Sequence, residues 1–106
     1  MAVIAVITAQ GPNWQPARAI RAQVGWDEHA RFMDGLVEQG VIVLGGPIDD
    51  DVEDDVALLV AQAIDEHQLR SVFSEDPWAT NRVLRLRAVW PWMLWLDSRN
   101  RSPDQN

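Results

Sequence analysis

The spacing of apolar and polar residues divides the chain into four strands and two main helices. Residues 2–8 (AVIAVIT) are rich in β-branched side chains and apolar at odd and even positions alike, the pattern of a strand covered on both faces. The stretch 10–25 (QGPNWQPARAIRAQVG) breaks that pattern with Gly11 and Pro12. It reads as an elaborated connection, with a short helix over 16–23 opened by Pro16. From 26 to 40 the period becomes helical: Trp26, Ala30, Phe32, Met33, Leu36 and Val37 share one side, and Asp27, Arg31, Asp34 and Glu38 lie opposite. Gly40 is placed to end this helix in the left-handed conformation.

Residues 41–44 form a second strand, closed by a Gly45-Gly46-Pro47 turn that lets the backbone approach another group closely. The acidic run 49–55 (DDDVEDD) reads as a hairpin loop, and 56–63 (VALLVAQA) as a third strand. Asp65 followed by Gln68 is an N-cap with a capping-box partner, opening a helix whose Leu69, Val72 and Phe73 face inward. It ends before Ser74, since Pro77 forces Asp76 out of helical geometry. The last element spans 82–96, where the even positions Leu84, Leu86, Ala88, Trp90, Trp92, Leu94 and Leu96 make one apolar face. Pro91 marks an edge or a bulge in it.

Strand, helix, strand, strand, helix, strand is the order of a ferredoxin-like βαββαβ sandwich, an α+β fold with an antiparallel sheet. At 106 residues and 47% hydrophobic, the chain supports one domain, taken as 2–96, followed by a polar, flexible tail over 97–106. Two helices cover one face of such a sheet. Because the strands are apolar on both faces, the other face calls for a partner, and a second copy packed sheet to sheet predicts a homodimer.

Charge and composition narrow the function. The net charge is −7, but six of the sixteen acids sit in 49–55, leaving the rest near neutral. A chain without a basic surface is unsuited to phosphate-backbone binding, which excludes nucleic acid as the expected partner. The N-terminal run lacks a basic flank and is too short for a signal peptide or a membrane span, so a cytoplasmic location and no membrane partner are expected. With no cysteine and two histidines, thiolate chemistry is absent and no metal or other cofactor is expected. The alternating acids of 49–55 lack the glycine and the bidentate glutamate of a calcium loop and read as solvated, as does His67, opposite Leu69. Arg85 and Arg87 fall on the face assigned to the dimer, where an intersubunit salt bridge would satisfy them.

One residue violates the helical stripe: His29 falls between Met33 and Leu36 on the apolar side, so its imidazole points into the fold. Asp76, beside Pro77 and Trp78, is the carboxylate that the fold can bring to it. A carboxylate bonded to one imidazole nitrogen fixes the tautomer and makes the other nitrogen a better base. Taken alone, each has a plainer reading: His29 as a core histidine with one hydrogen bond, Asp76 as a turn residue capping backbone. The expected catalytic pair is His29 and Asp76, with Trp26, Gly46, Pro47, Trp78 and Trp92 lining a substrate pocket.

The combination Trp26-Asp-Glu-His29, Phe32-Met-Asp-Gly-Leu36, Gly40, Gly45-Gly46-Pro47, Asp76-Pro77-Trp78 and Val89-Trp90-Pro91-Trp92 resembles the YCII-related family. The resemblance implies a dimeric α+β barrel and an active site built on a His-Asp pair, which transfers here to His29 and Asp76. The chain departs from the family in its long 10–25 connection and its acidic loop. The expected function is a small cofactor-independent enzyme doing acid/base chemistry, an isomerisation or elimination, on a small cyclic or aromatic substrate. The alternative is a non-catalytic module that binds a small molecule, or mediates an interaction, through the same dimer pocket.

Overall fold

The computed structural model describes residues 1–48 and 54–99. Strands β1 (Ala2–Gln10), β2 (Ile42–Pro47), β3 (Asp55–Ala63) and β4 (Leu84–Pro91) form one antiparallel sheet in the order β2-β3-β1-β4. Helices α1 (Trp26–Glu38) and α2 (Glu66–Phe73) supply the expected α+β order, and a four-residue α3 (Pro77–Thr80) is added where a loop was expected. β1 is central, and its Ile4 and Val6 are buried with Leu36 of α1, Leu69 and Phe73 of α2 and Leu59 and Ala61 of β3. Removing side chains of this size from water stabilises the fold by about 1.5–3 kcal/mol each. Val37, expected inside, is instead exposed.

The helix ends follow their sequence signals closely. Asp65 accepts from the Gln68 N–H at 2.8 Å, while the Gln68 side chain accepts from the Ile64 N–H at 2.7 Å, one residue earlier than a standard capping box. Gly40 has φ 76° just past α1.

Three expectations fail at strand ends and in the connection. β2 does not stop at Leu44: Gly45, Gly46 and Pro47 pair with Leu59, Leu58 and Ala57. Because β2 is an edge strand, Pro47 costs the ladder no hydrogen bond, so proline does not end the pairing. A Cβ on Gly45 would collide with the Leu59 side chain, so the glycine is a packing requirement rather than a turn. The second failure is in β4, which ends at Pro91 instead of 96 and whose single apolar face is broken by a register shift opposite Ile7/Thr8. That shift places Leu86 and Val89 toward the helices and turns Trp90 outward. In the third, the helix expected over 16–23 reduces to one 3₁₀ turn, Ile20–Ala22. A buried amide replaces it: Gln23, 3% exposed, donates to the Gln15 and Arg18 carbonyls and accepts from the Gln15 N–H.

The uncovered sheet face carries Leu44, Leu58 and Trp90, each about half exposed. The two arginines expected to pair across subunits have partners within the chain. Arg87 makes a bidentate pair with the buried Asp55 at 2.5 and 2.7 Å, and Arg85 donates to the Gln10 carbonyl. His67 is exposed, as expected. Most of the acidic loop (49–53) and most of the expected tail (100–106) lie outside the described residues. No helix among the described residues is long and apolar enough to cross a membrane.

Candidate active site

α1 carries His29 as its fourth residue, and a left-handed Gly25 (φ 80°) delivers the chain into that helix. Only a residue without Cβ takes this conformation freely, and here a side chain would also crowd the Asn81 amide at 3.2 Å. The Trp78 Nε1–H donates to the Val24 carbonyl at 2.7 Å, tying the entry of α1 to α3. The two helices that hold the site are thereby fixed to each other across 54 residues of sequence.

Asp76 begins α3. Its Oδ1 accepts from the Trp78 N–H at 2.9 Å, capping the helix, while its carbonyl accepts from the Ala79 and Thr80 N–H groups. The same carboxylate receives His29: Nδ1 lies 2.9 Å from Oδ1 and 2.8 Å from Oδ2. The turn-capping role and the histidine-partner role, which the sequence presents as alternatives, are both real. His29 is 7% exposed and Asp76 4%, so the pair is largely shielded from water, where charge-assisted hydrogen bonds are stronger than at a surface. With Nδ1–H donated to the carboxylate, Nε2 is the nitrogen that carries the free lone pair.

The plane of the imidazole is fixed as firmly as its tautomer. Trp78, fully buried, stacks on it with ring centroids 3.9 Å apart and an interplanar angle of 9°. Trp26 leans on both rings, at 5.9 Å from His29 and 5.6 Å from Trp78, and Trp14 of the long connection meets Trp78 edge-on at 6.1 Å. Each aromatic contact contributes about 0.5–1.5 kcal/mol beyond the area it buries, and an imidazolium over an indole face gains cation–π attraction as well.

His29 opens onto a hollow of about 410 Å³ between α1 and the edge of the sheet. That volume suits a single-ring molecule. Its walls are mainly apolar: Trp26, Met33, Val37, Ile42, Leu59 and Pro47, with the backbone of Gly45 and Gly46. Of the residues expected to line a pocket, Trp26, Gly46 and Pro47 do so. Trp78 sits against the imidazole and is sealed from the hollow. Trp92 lies elsewhere, bordering a separate hollow of about 330 Å³ with Leu44, Val60 and Leu94. The post-β4 backbone is tied to β1 by the Trp92 N–H to Val3 carbonyl bond, and this keeps Trp92 away from His29. Sequence reasoning missed Asp34, which joins His29 as the second ionisable group lining the hollow among the described residues, and Ile20 of the connection. Asp34, assigned to the polar side of α1, lies five residues past His29. The connection gave no signal that Trp14 would brace Trp78.

The architecture defines the class: a ferredoxin-like α+β fold of the kind found in dimeric α+β barrels. No family model and no curated protein sequence matches the chain. Among solved structures it is similar to the 5-chloro-2-hydroxyhydroquinone dehydrochlorinase of Burkholderia phenoliruptrix AC1100, determined in complex with 2,5-dihydroxybenzoquinone. The TM-score is 0.54 at 20% identity, over 86% of this chain and 93% of that one. Identity at that level establishes a shared fold.

Proposed function

We propose that the protein is an enzyme in which His29 moves a proton on a small, largely apolar ring compound bound in the 410 Å³ hollow. The observation that carries this reading is the shielded, doubly held Nδ1 of an imidazole that also lines the hollow. Asp76 fixes the tautomer and stabilises the imidazolium that forms. Nε2 removes a proton from a ring hydroxyl or carbon, and the protonated ring returns it to a neighbouring atom in an isomerisation or to the departing group in an elimination. The apolar walls and the lack of a lining cation among the described residues favour a neutral substrate over a carboxylate-bearing one. The dehydrochlorinase of similar fold acts on a compound of that size and supports the elimination branch.

The test uses that enzyme's compounds as probes. Chloride release from 5-chloro-2-hydroxyhydroquinone and quenching of tryptophan fluorescence by 2,5-dihydroxybenzoquinone are measured for the wild type and for Asp76→Asn. An asparagine amide still accepts from the Trp78 N–H but presents N–H to His29, which forces the wrong tautomer. Turnover is expected to fall by about 10⁴-fold with quinone binding within a few-fold of wild type. Binding by both proteins without turnover by either would favour the non-catalytic module.

The reading includes a homodimer formed by the uncovered sheet face. Leu44, Leu58 and Trp90 make an exposed apolar patch on it, flanked by Trp92 and Met93. Light scattering at micromolar concentration is expected to give the mass of two chains for the wild type and of one chain for Trp90→Glu. A single-chain mass for the wild type contradicts the dimer.

A further inference from the structure

On the Asp76 side of the pair is a second hollow, distinct from the one His29 faces. It measures about 30 Å³ and is bounded by Thr8, Asp76 and Arg85 among the apolar Met33, Phe73 and Leu86. Thr8 is the polar member of the inward series Ile4, Val6, Thr8 on β1, and it is 3% exposed. The sheet register shifts beside it against both neighbours, between Ile7 and Thr8 toward β4 and between Thr8 and Ala9 toward β3. Its Oγ1 is a buried side-chain atom with no hydrogen-bond partner among the described residues. A hydroxyl stranded in this way costs about 1–3 kcal/mol, and buried polar atoms left alone by the protein are normally met by water.

The carboxylate next to it has room for one more donor. Oδ1 of Asp76 accepts from His29 and from the Trp78 N–H, whereas Oδ2 accepts from His29 alone among the described residues. A water molecule needs a hollow of about 10–15 Å³ and two to four polar partners. The hollow, at about 30 Å³, exceeds that requirement, and Thr8 and Asp76 both line it.

The geometry points to a buried hydration site in which one water bridges Thr8 Oγ1 and Asp76 Oδ2, making Thr8 a positioning residue for the carboxylate that holds His29. The water donates to Oδ2, and the Thr8 hydroxyl donates to or accepts from the water. Rotation of the carboxylate about χ2 is then opposed on three sides, by His29, by the α3 N-terminus and by the water. The inference deepens the reading of His29–Asp76 as the working pair, but its test does not involve turnover, so failure of one is distinguishable from failure of the other.

The test combines a high-resolution crystal structure of the wild type with Thr8→Val, which exchanges the hydroxyl for a methyl at nearly constant volume, and Thr8→Ser, which keeps the hydroxyl. Solvent density within hydrogen-bond distance of both Thr8 Oγ1 and Asp76 is expected in the wild type and in Thr8→Ser, and is lost in Thr8→Val. Tm is expected to drop by about 4–8 °C in Thr8→Val. The low-field proton resonance of His29 Nδ1–H should shift or broaden in Thr8→Val and return to its wild-type position in Thr8→Ser. A dry hollow in the wild type, a Thr8→Val protein as stable as the wild type or more so, or an unmoved resonance overturns the proposal. If Thr8→Val does not fold, the wild-type density decides it.

Discussion

His29→Gln is expected to lower turnover by about 10²–10⁴-fold, the usual contribution of a positioned acid/base group, while leaving a folded protein. Glutamine, whose amide nitrogen is one bond further out than Nδ1, still carries an N–H that can turn to the Asp76 carboxylate, but it has no nitrogen able to take up a proton. Alanine at the same place does something different. Removing one member of a pair this well buried leaves a carboxylate without its counterpart, a loss of about 3–5 kcal/mol. Loss of activity in His29→Ala would therefore confound folding with chemistry, and the glutamine variant separates them. Steady-state kinetics with circular dichroism decides the matter: a glutamine variant that still turns over substrate at the wild-type rate removes His29 from the reaction.

A stability effect as large as that of His29→Ala is expected at Trp78. It is fully buried, stacks on His29, meets Trp14 and Trp26, and bonds the Val24 carbonyl. Trp78→Ala should cost about 3–5 kcal/mol, a large part of the stability of a domain this size. Trp78→Phe keeps an aromatic plane beneath the imidazole and loses the indole N–H bond, a change of about 1 kcal/mol plus the smaller ring's packing deficit. Urea unfolding measures both. A cost under 1 kcal/mol for the alanine variant would mean that Trp14 and Trp26 close over the gap and that the stack does not organise the site.

The inward histidine was legible because a polar residue on an apolar stripe is a conflict that periodicity exposes. Asp76 was legible for a local reason, its step into Pro77, and became a partner for His29 only when the fold order placed both at one end of the sheet. What periodicity could not reveal was where the pleat is interrupted. The register shift opposite Ile7/Thr8 reverses the facing of β4 halfway along, so a rule that assigns even positions to one side works for Leu84 and Leu86 and fails for Trp90. Glycine and proline were similarly ambiguous. At 45–47 they signal a turn in most contexts, whereas an edge strand packed against Leu59 accommodates them in extended pairing. The 10–25 connection was opaque because its order comes from one buried amide, Gln23, and from tryptophan contacts made far along the chain.

The double duty of the Asp76 carboxylate bears on how such a site can evolve. One oxygen both starts α3 and orients the imidazole, so a lineage that gives up the reaction still needs a side-chain oxygen here to accept from the Trp78 N–H, which aspartate, asparagine, serine or threonine supplies. Selection for a foldable chain alone would confine the position to that small set, so an aspartate kept there against asparagine or serine reports the demand of the imidazole and not of the helix.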